Sequence, residues 1–196
     1  VCFLFSFLSP EHEQRVSELI NARLPGMYTS LSHQIIPQIK EFDRLSTTAV
    51  NSYVGPVLAS YLHKLQERLA LFKCRSEIHI MQSNGGVSAL EDSIPMAVKA
   101  ILSGPAGGAN GATYYGELIR TPKIISFDMG GTSTDISLIE NGQAHVTTEK
   151  FEAGWKIAVP MIDIQTMGAG GSIHAAVWIR IRTTCLIVLI RAGKSS

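Results

Sequence analysis

The sequence predicts an α/β fold with an antiparallel strand meander at its centre, on three observations. Lys123-Ile124-Ile125-Ser126-Phe127 is a short apolar strand running into Asp128, and Asp135-Ile136-Ser137-Leu138-Ile139 alternates polar and apolar at strand period. Asn141-Gly142 is a strong two-residue hairpin signal, which places strands near 123–128, 134–140 and 143–149 with a Gly130-Gly131 turn at the first bend. Val54, Val57, Leu58, Tyr61, Leu62, Leu65, Leu69 and Phe72 recur at helical period, a stripe that must pack on a core.

The remaining elements follow in chain order. Val1 to Phe7 reads as an apolar strand that begins abruptly, with no initiating Met, as at the truncated end of a preceding subdomain. Ser9 caps a helix from Pro10 to about Ala22, ended near Pro25-Gly26, and Ile36 to Thr48 is a mixed connector. Pro56 either starts the main helix or kinks a longer one beginning near Thr47. Glu77 to Met81 alternates as a strand that delivers Ser83-Asn84-Gly85-Gly86 to its carboxyl end, where ligands sit in open α/β sheets. Asn84 either faces a cleft or makes a simple Asn-Gly turn. Ser88 with Glu91 forms a capping-box pattern for a short helix.

Gly104, Gly107, Gly108 and Gly111 fall at the i, i+3, i+4, i+7 spacing of one helix face, with Ser103 as cap and Pro105 in the first turn. Interior glycines cost about 1 kcal/mol each relative to alanine, so a helix near 105–118 keeps them where another helix or a ligand comes very close. A glycine-rich loop followed by a helix from about Ala109 fits the same residues.

The run Asp128-Met129-Gly130-Gly131-Thr132-Ser133-Thr134-Asp135 carries most of the functional information. Without Cβ atoms, Gly130 and Gly131 can take positive φ and let backbone N–H groups close on an anion, while Thr132, Ser133 and Thr134 add hydroxyl donors. Asp128 and Asp135 repel a bare polyphosphate, so the arrangement makes sense with a divalent cation or an attacking water between them. That points to a nucleotide bound with magnesium; an ordinary hairpin whose glycines merely reverse the chain is the alternative. A Rossmann site is excluded, because its glycines stand between a strand and a helix.

Composition narrows the classes further. With 45% hydrophobic residues, 17% charged residues and a formal net charge of +1, there is no field to attract nucleic acid. Lys64, Arg68, Lys73 and Arg75 flank the amphipathic helix as a solvated face. Cys2, Cys74 and Cys185 are widely spaced, which suits a reduced compartment and inert thiols. The run Cys185 to Ile190 is too short to span a bilayer and reads as a buried strand or an out-of-frame tail. No pair among His12, His33, His63, His79, His145 and His174 has ligand spacing on a helix face, and no G-x-S-x-G elbow supports a serine hydrolase. Gly168-Ala169-Gly170-Gly171-Ser172 is either a loop close to substrate or a flexible linker.

The order of small-residue helix, strand, D-x-G-G-T turn, strand and Asn-Gly hairpin resembles the second phosphate region of the ribonuclease H-like ATPases of actin, hexokinase and chaperone type. A narrower likeness lies in Glu41 to Thr48 with Asn51, Tyr53, Val54 and Pro56, then Met81 to Val87, Leu102 to Gly108, Phe127 to Asp135, and Pro160 to Ile164 with Gly168 to Ser172. Together with Phe5 to Glu13, these blocks resemble the hydantoinase A and 5-oxoprolinase family over about residues 1–172.

The resemblance implies an incomplete ATPase subdomain from a cytoplasmic enzyme that uses ATP and Mg2+ to open a cyclic amide, 5-oxoproline or a hydantoin, with some relatives carboxylating ketones instead. For 5-oxoproline it implies a place in glutathione metabolism. It implies residues 1–20 as the end of a preceding subdomain, 21–172 as the start of the catalytic domain and 173–196 as a tail unlike the family. Partners would be the rest of the enzyme or a hydantoinase B-type subunit, with no nucleic acid and no membrane. Asp128, Thr132 and Asp135 would be catalytic; Gly130, Gly131, Thr132, Thr134, Gly107 and Gly108 would hold the nucleotide, and Asp128 the metal. Gln165 stands where many relatives carry His, which weakens any metal role for that position and leaves Asp163 a poor ligand. With one wall of the ATP cleft missing, the isolated chain is expected to turn over nothing.

Overall fold

The computed structural model describes residues 1–74, 76–168 and 186–191. Helices α1 (Glu11–Arg23), α2 (Ser32–Ile35) and α3 (Glu41–Leu71) come first, then strands β1 (His79–Met81) and β2 (Val87–Ala89), short helix α4 (Leu90–Ser93) and a 3-10 turn at Ala97–Ala100. Helix α5 (Ser103–Leu118) precedes β3 (Lys123–Met129), β4 (Thr134–Glu140), β5 (Gln143–Ala144), β6 (Val146–Thr147), β7 (Lys150–Glu152) and β8 (Trp155–Ile157). Strands β9 (Met161–Ile162), β10 (Ile164–Met167) and β11 (Leu186–Arg191) complete the order. Two compact units result, one of residues 1–80, 87–101 and 148–160, the other of 81–86, 102–147, 161–168 and 186–191.

The first unit is built on α3, whose buried positions are mostly polar. Asp43, Arg44, Ser46, Thr47, Thr48 and Asn51 lie inside, and Leu62 is the buried member of the predicted apolar stripe. The stripe does not pack on a core: Val57 is 73% exposed and Phe72 83% exposed. The reason lies in what the helix packs against, which is backbone of β8, the 3-10 turn and their flanks that needs hydrogen-bond partners. Asn51 Nδ2 donates to Ser30 Oγ (2.8 Å) and the Pro95 carbonyl (3.0 Å), while its Oδ1 accepts from Val98 N at 2.9 Å. Ser46 Oγ donates to the Lys156 carbonyl at 2.6 Å, and Thr47 Oγ1 accepts from Ala158 N at 3.0 Å. Lys156 Nζ in turn lies 2.9 Å from Asp43 and 2.8 Å from Glu149.

Three sequence expectations fail in this unit. The first residues form turns rather than a strand, because buried Glu13 and Arg44 take hold of the Phe3 peptide from both sides. Phe3 N donates to Glu13 Oε1 at 2.9 Å, and Arg44 Nη2 donates to the Phe3 and Leu4 carbonyls at 2.6 and 2.7 Å. The connector expected over 36–48 is helical from Glu41, and α3 runs through Pro56 as a longer helix containing the proline. Neither serine cap forms: Ser9 Oγ bonds the Glu11 carboxylate, while Ser88 lies in β2 with its Oγ on Ser93 Oγ at 2.6 Å.

The second unit is the predicted meander with α5 laid across it. The sheet runs β10-β4-β3-β11 with β5 extending β4; β4 is antiparallel to its neighbours, and β11 pairs β3 in parallel. Asn141 and Gly142 both take positive φ, 54° and 74°, as a right-twisted two-residue hairpin requires. The third strand is shorter than expected and splits, β5 staying on β4 while β6 leaves to pair β9. Ala106, Ala109, Ile162 and Ile164 form one core cluster, and Ala112, Ile124 and Ile139 a second.

Helix α5 is continuous through its glycines, so the loop alternative fails. The buried face, however, is Ala106, Ala109, Ala112 and Gly116, and of the predicted glycine row Gly108 lies over sheet residues. At Gly116 a Cβ would run into Ile124 Cδ1, so the missing side chain lets the helix lie against this strand with Ile124 in its present rotamer. Gly104 and Gly111 have nothing within 4 Å of a Cβ, and at Gly107 there is only Met81 Cε at 3.9 Å. Ser103 is the first helical residue and gives no side-chain cap, since the cap position is Leu102 in the left-handed region.

Candidate phosphate site

The hairpin joining β3 to β4 places six of the sequence-predicted residues, Asp128, Gly130, Gly131, Thr132, Thr134 and Asp135, at one sheet end. Its four-residue loop, Gly130 to Ser133, is closed by Gly130 N donating to the Ser133 carbonyl at 3.0 Å. Neither Gly130 nor Gly131 takes positive φ, contrary to expectation. Packing does not demand glycine either: a Cβ at Gly131 meets nothing within 4 Å, and one at Gly130 only the Ser133 carbonyl at 3.8 Å. The amides of Gly131, Thr132 and Ser133 have no partner among the described residues, and Gly131 and Thr132 are exposed. Two bare Cα positions beside three unpaired donors leave open backbone that an anion can approach closely.

At the foot of the loop, Asp128 and Asp135 stand directly opposite each other in the β3–β4 ladder. Partial burial, and then the facing Asp135 carboxylate, push the Asp128 carboxyl above its usual range. No Lys or Arg pairs with either acid among the described residues. Two like charges across a ladder destabilise it, so this pair is a deficit within the chain that a cation would relieve. Pro105, Gly108 and Ala109 of α5 close over Ser126, Asp128, Asp135 and Ser137 around a cavity of about 10 Å³, the space of about one water molecule.

No group of three His, Cys, Asp or Glu side chains that could hold a metal occurs among the described residues. That donor set does not make a stand-alone metal cage, but it fits a magnesium ion carried on phosphates, which takes only one or two carboxylates from the protein.

The other predicted residues divide. Gly108 lines the cavity with the two acids, whereas Gly107 is not part of that lining, and a Cβ there would have Met81 Cε as its neighbour. Thr134 is 1% exposed, inside the sheet rather than on the loop surface. Asn84 makes the simple turn: its Oδ1 accepts from Gly86 N at 2.9 Å, Gly85 has φ +85°, and Asn110 Nδ2 donates to the Gly85 carbonyl at 2.6 Å. Asp163 and Gln165 bond each other at 3.0 Å. Residues 169–172, like Arg75, His174 and Cys185, lie outside the described residues; of the tail, Leu186–Arg191 is described, as a strand.

Sequence reasoning missed Thr166. It stands beside Asp135 in the β10–β4 ladder and donates from Oγ1 to Asp135 Oδ1 at 2.6 Å. Asp128, Asp135 and Thr166 thus form one row across three strands, with Ser126, Ser137 and Ile164 one step behind and the two serine Oγ atoms 2.6 Å apart. No local signal marks it, since Ile164-Gln165-Thr166-Met167 does not alternate, and the register across to β4 is a long-range property.

A family model described as hydantoinase/oxoprolinase matches residues 44–184. The chain is 34% identical to caprolactamase subunit alpha of Pseudomonas jessenii, over 87% of this chain and 25% of that protein. It is 38% identical to 5-oxoprolinase of Saccharomyces cerevisiae, over 88% of this chain and 13% of that protein. The nucleotide-free structure of acetone carboxylase, solved for the mechanism of ATP-dependent acetone carboxylation, superposes with a TM-score of 0.75 at 26% identity, covering 86% of this chain and 24% of that one. The chain therefore spans a quarter or less of the length of these proteins and shares their α/β ATPase-like fold. On a match covering most of its length, the chain belongs to the hydantoinase/oxoprolinase family.

Proposed function

We propose that this chain supplies a phosphate-binding loop to an ATP-dependent hydrolase that opens a cyclic amide, 5-oxoproline or a hydantoin, in the cytoplasm. The observation that carries this is the exposed loop with unpaired amides at Gly131, Thr132 and Ser133 above an acid pair that lacks a counter-ion. Gly131 and Thr132 bind phosphate oxygens, and Gly130 serves by its missing side chain, since its own amide is used in the loop. Gly108 admits the phosphates close to α5, Gly107 keeps the adjoining face of the helix open, and Thr134 supports the loop from inside the sheet. Asp128 faces the cation, and Asp135 holds the second charge beside it. A magnesium ion there neutralises the charge of the transferring phosphoryl group.

The chemistry follows from the weakness of an amide as an electrophile. Transfer of the terminal phosphoryl group of ATP to the ring amide oxygen, with ADP leaving, makes the carbonyl carbon open to water; one water adds there, the C–N bond breaks with the nitrogen taking a proton to leave an acyl phosphate, and a second water hydrolyses that to carboxylate and phosphate. The loop contributes by positioning and charge neutralisation rather than covalently. Support for the substrate class comes from the names of two relatives, 5-oxoprolinase and caprolactamase. The likeness to acetone carboxylase favours a second reading, in which the same loop serves carboxylation of a ketone.

Because the chain covers a quarter or less of those proteins, we propose that activity needs the rest of the enzyme or a partner subunit of the hydantoinase B type, a reading the name caprolactamase subunit alpha supports. ATP hydrolysis measured with 5-oxoproline, a hydantoin, or acetone with bicarbonate separates the readings. In an enzyme of the relatives' length, stimulation by one cyclic amide is expected and Asp128→Ala abolishes it; stimulation by acetone alone favours carboxylation. Coupled turnover by the 196-residue chain by itself would refute the need for further parts.

A further inference from the structure

The two acids below the loop are not equivalent, and the difference lies in what each already touches. Asp135 accepts a 2.6 Å hydrogen bond from Thr166 Oγ1, whereas Asp128 has no hydrogen-bond or ion-pair partner among the described residues. Register explains the asymmetry. Asp135 sits on β4 between β3 and β10, so it faces Asp128 on one side and Thr166 on the other. Asp128 sits on β3 with only Asp135 beside it on the antiparallel side.

A carboxylate fixed through one oxygen by a neighbouring hydroxyl loses rotamer freedom and some of its capacity as a ligand, because that oxygen is engaged. Its free neighbour keeps both oxygens. We propose that Thr166 is a positioning residue that locks the Asp135 carboxylate in one rotamer, leaving Asp128 as the carboxylate that takes the cation of a metal–nucleotide. This rests on the phosphate reading given above, and adds to it a division of labour between the acids and a residue from a third strand. Without Thr166, Asp135 would sample several rotamers, and binding the cation would have to fix that side chain at the cost of its freedom. Held back by Thr166, it stays a fixed distance across the ladder. Outer partners that hold the surroundings of a metal ligand in place are worth up to roughly 10–100-fold in metal affinity, and Thr166, one residue further removed, falls at the low end.

The test uses the 196-residue chain with Thr166→Val, which removes the hydroxyl at nearly constant shape, and Thr166→Ser, which restores it. Side-chain three-bond couplings of Asp135 are measured by NMR without ligand, and binding of manganese–ATP by the loss of the free-manganese EPR signal. The expected result is a single Asp135 rotamer in the parent chain and in Thr166→Ser, averaging in Thr166→Val, and manganese–ATP binding about tenfold weaker in Thr166→Val alone. Unchanged couplings in Thr166→Val, or a Thr166→Ser chain that behaves like Thr166→Val, overturn the positioning role. A parent chain that holds Asp135 in one rotamer yet binds no manganese–ATP overturns the phosphate reading, and reduces Thr166 to a structural contact.

Discussion

Asp128 and Asp135 face each other across the β3–β4 ladder with no basic side chain beside either among the described residues. Such an arrangement costs the folded chain stability. Partial burial and the facing carboxylate both disfavour the charged form of Asp128.

Removing one of the two charges should therefore stabilise the ligand-free chain. Asp128→Asn is expected to raise unfolding free energy by about 0.2–1 kcal/mol near neutral pH while weakening magnesium–ATP binding. Urea denaturation checks the first part, and a drop in stability of that size would show that the acids are structural.

Glu13 predicts the acid limb of stability. Burial pushes its carboxyl up, but hydrogen bonds from Ser32 Oγ, the His33 ring and amide and the Phe3 amide prevail and hold it at about 2, below the ordinary 4.5. A depressed value contributes stability that is fully present above pH 4.5 and is lost as pH falls toward 2. The contribution is about 3 kcal/mol, so Glu13→Gln should be less stable by that order at pH 7 and show a flatter profile between pH 4.5 and 2. Denaturant midpoints across that range check it.

The polar interior of α3 predicts an unequal response along one helix. Leu62→Ala, at a site 1% exposed, should cost about 2–5 kcal/mol, whereas Val57→Ser, 73% exposed, should stay within about 0.5 kcal/mol. Equal losses at both positions would mean that the apolar stripe is packed after all.

These positions also show which parts of the fold the sequence made legible. The β3–β4 hairpin and its Asn-Gly neighbour were readable because strand alternation and turn chemistry are local, and both lie within about twenty residues of chain. Helix α3 was readable as a helix but not in its orientation. Periodicity says that one face is apolar, while which face goes inside was decided by the backbone at 95–98 and 156–158 asking for Asn51, Ser46 and Thr47. The α5 glycines misled in part: close approach to the sheet uses Gly116 and three alanines, and of the predicted row Gly104, Gly107 and Gly111 are left open while Gly108 lines the cavity over the two acids. At the candidate site, Asp128, Gly130, Gly131, Thr132 and Asp135 lie within one local motif, so their closeness in the hairpin was readable from the sequence. Thr166 reaches Asp135 only through the pairing of β10 with β4, which no local pattern encodes.

The most direct measurement is an amide NMR titration of the chain with magnesium–ATP, which detects weak binding residue by residue. Gly131, Thr132 and Ser133 are expected to shift together and saturably, and Gly131→Val, which fills the open position at the loop, should remove the shifts without lowering the melting temperature. Loop amides that stay still at saturating magnesium–ATP, or that shift equally in Gly131→Val, would contradict phosphate binding by this hairpin.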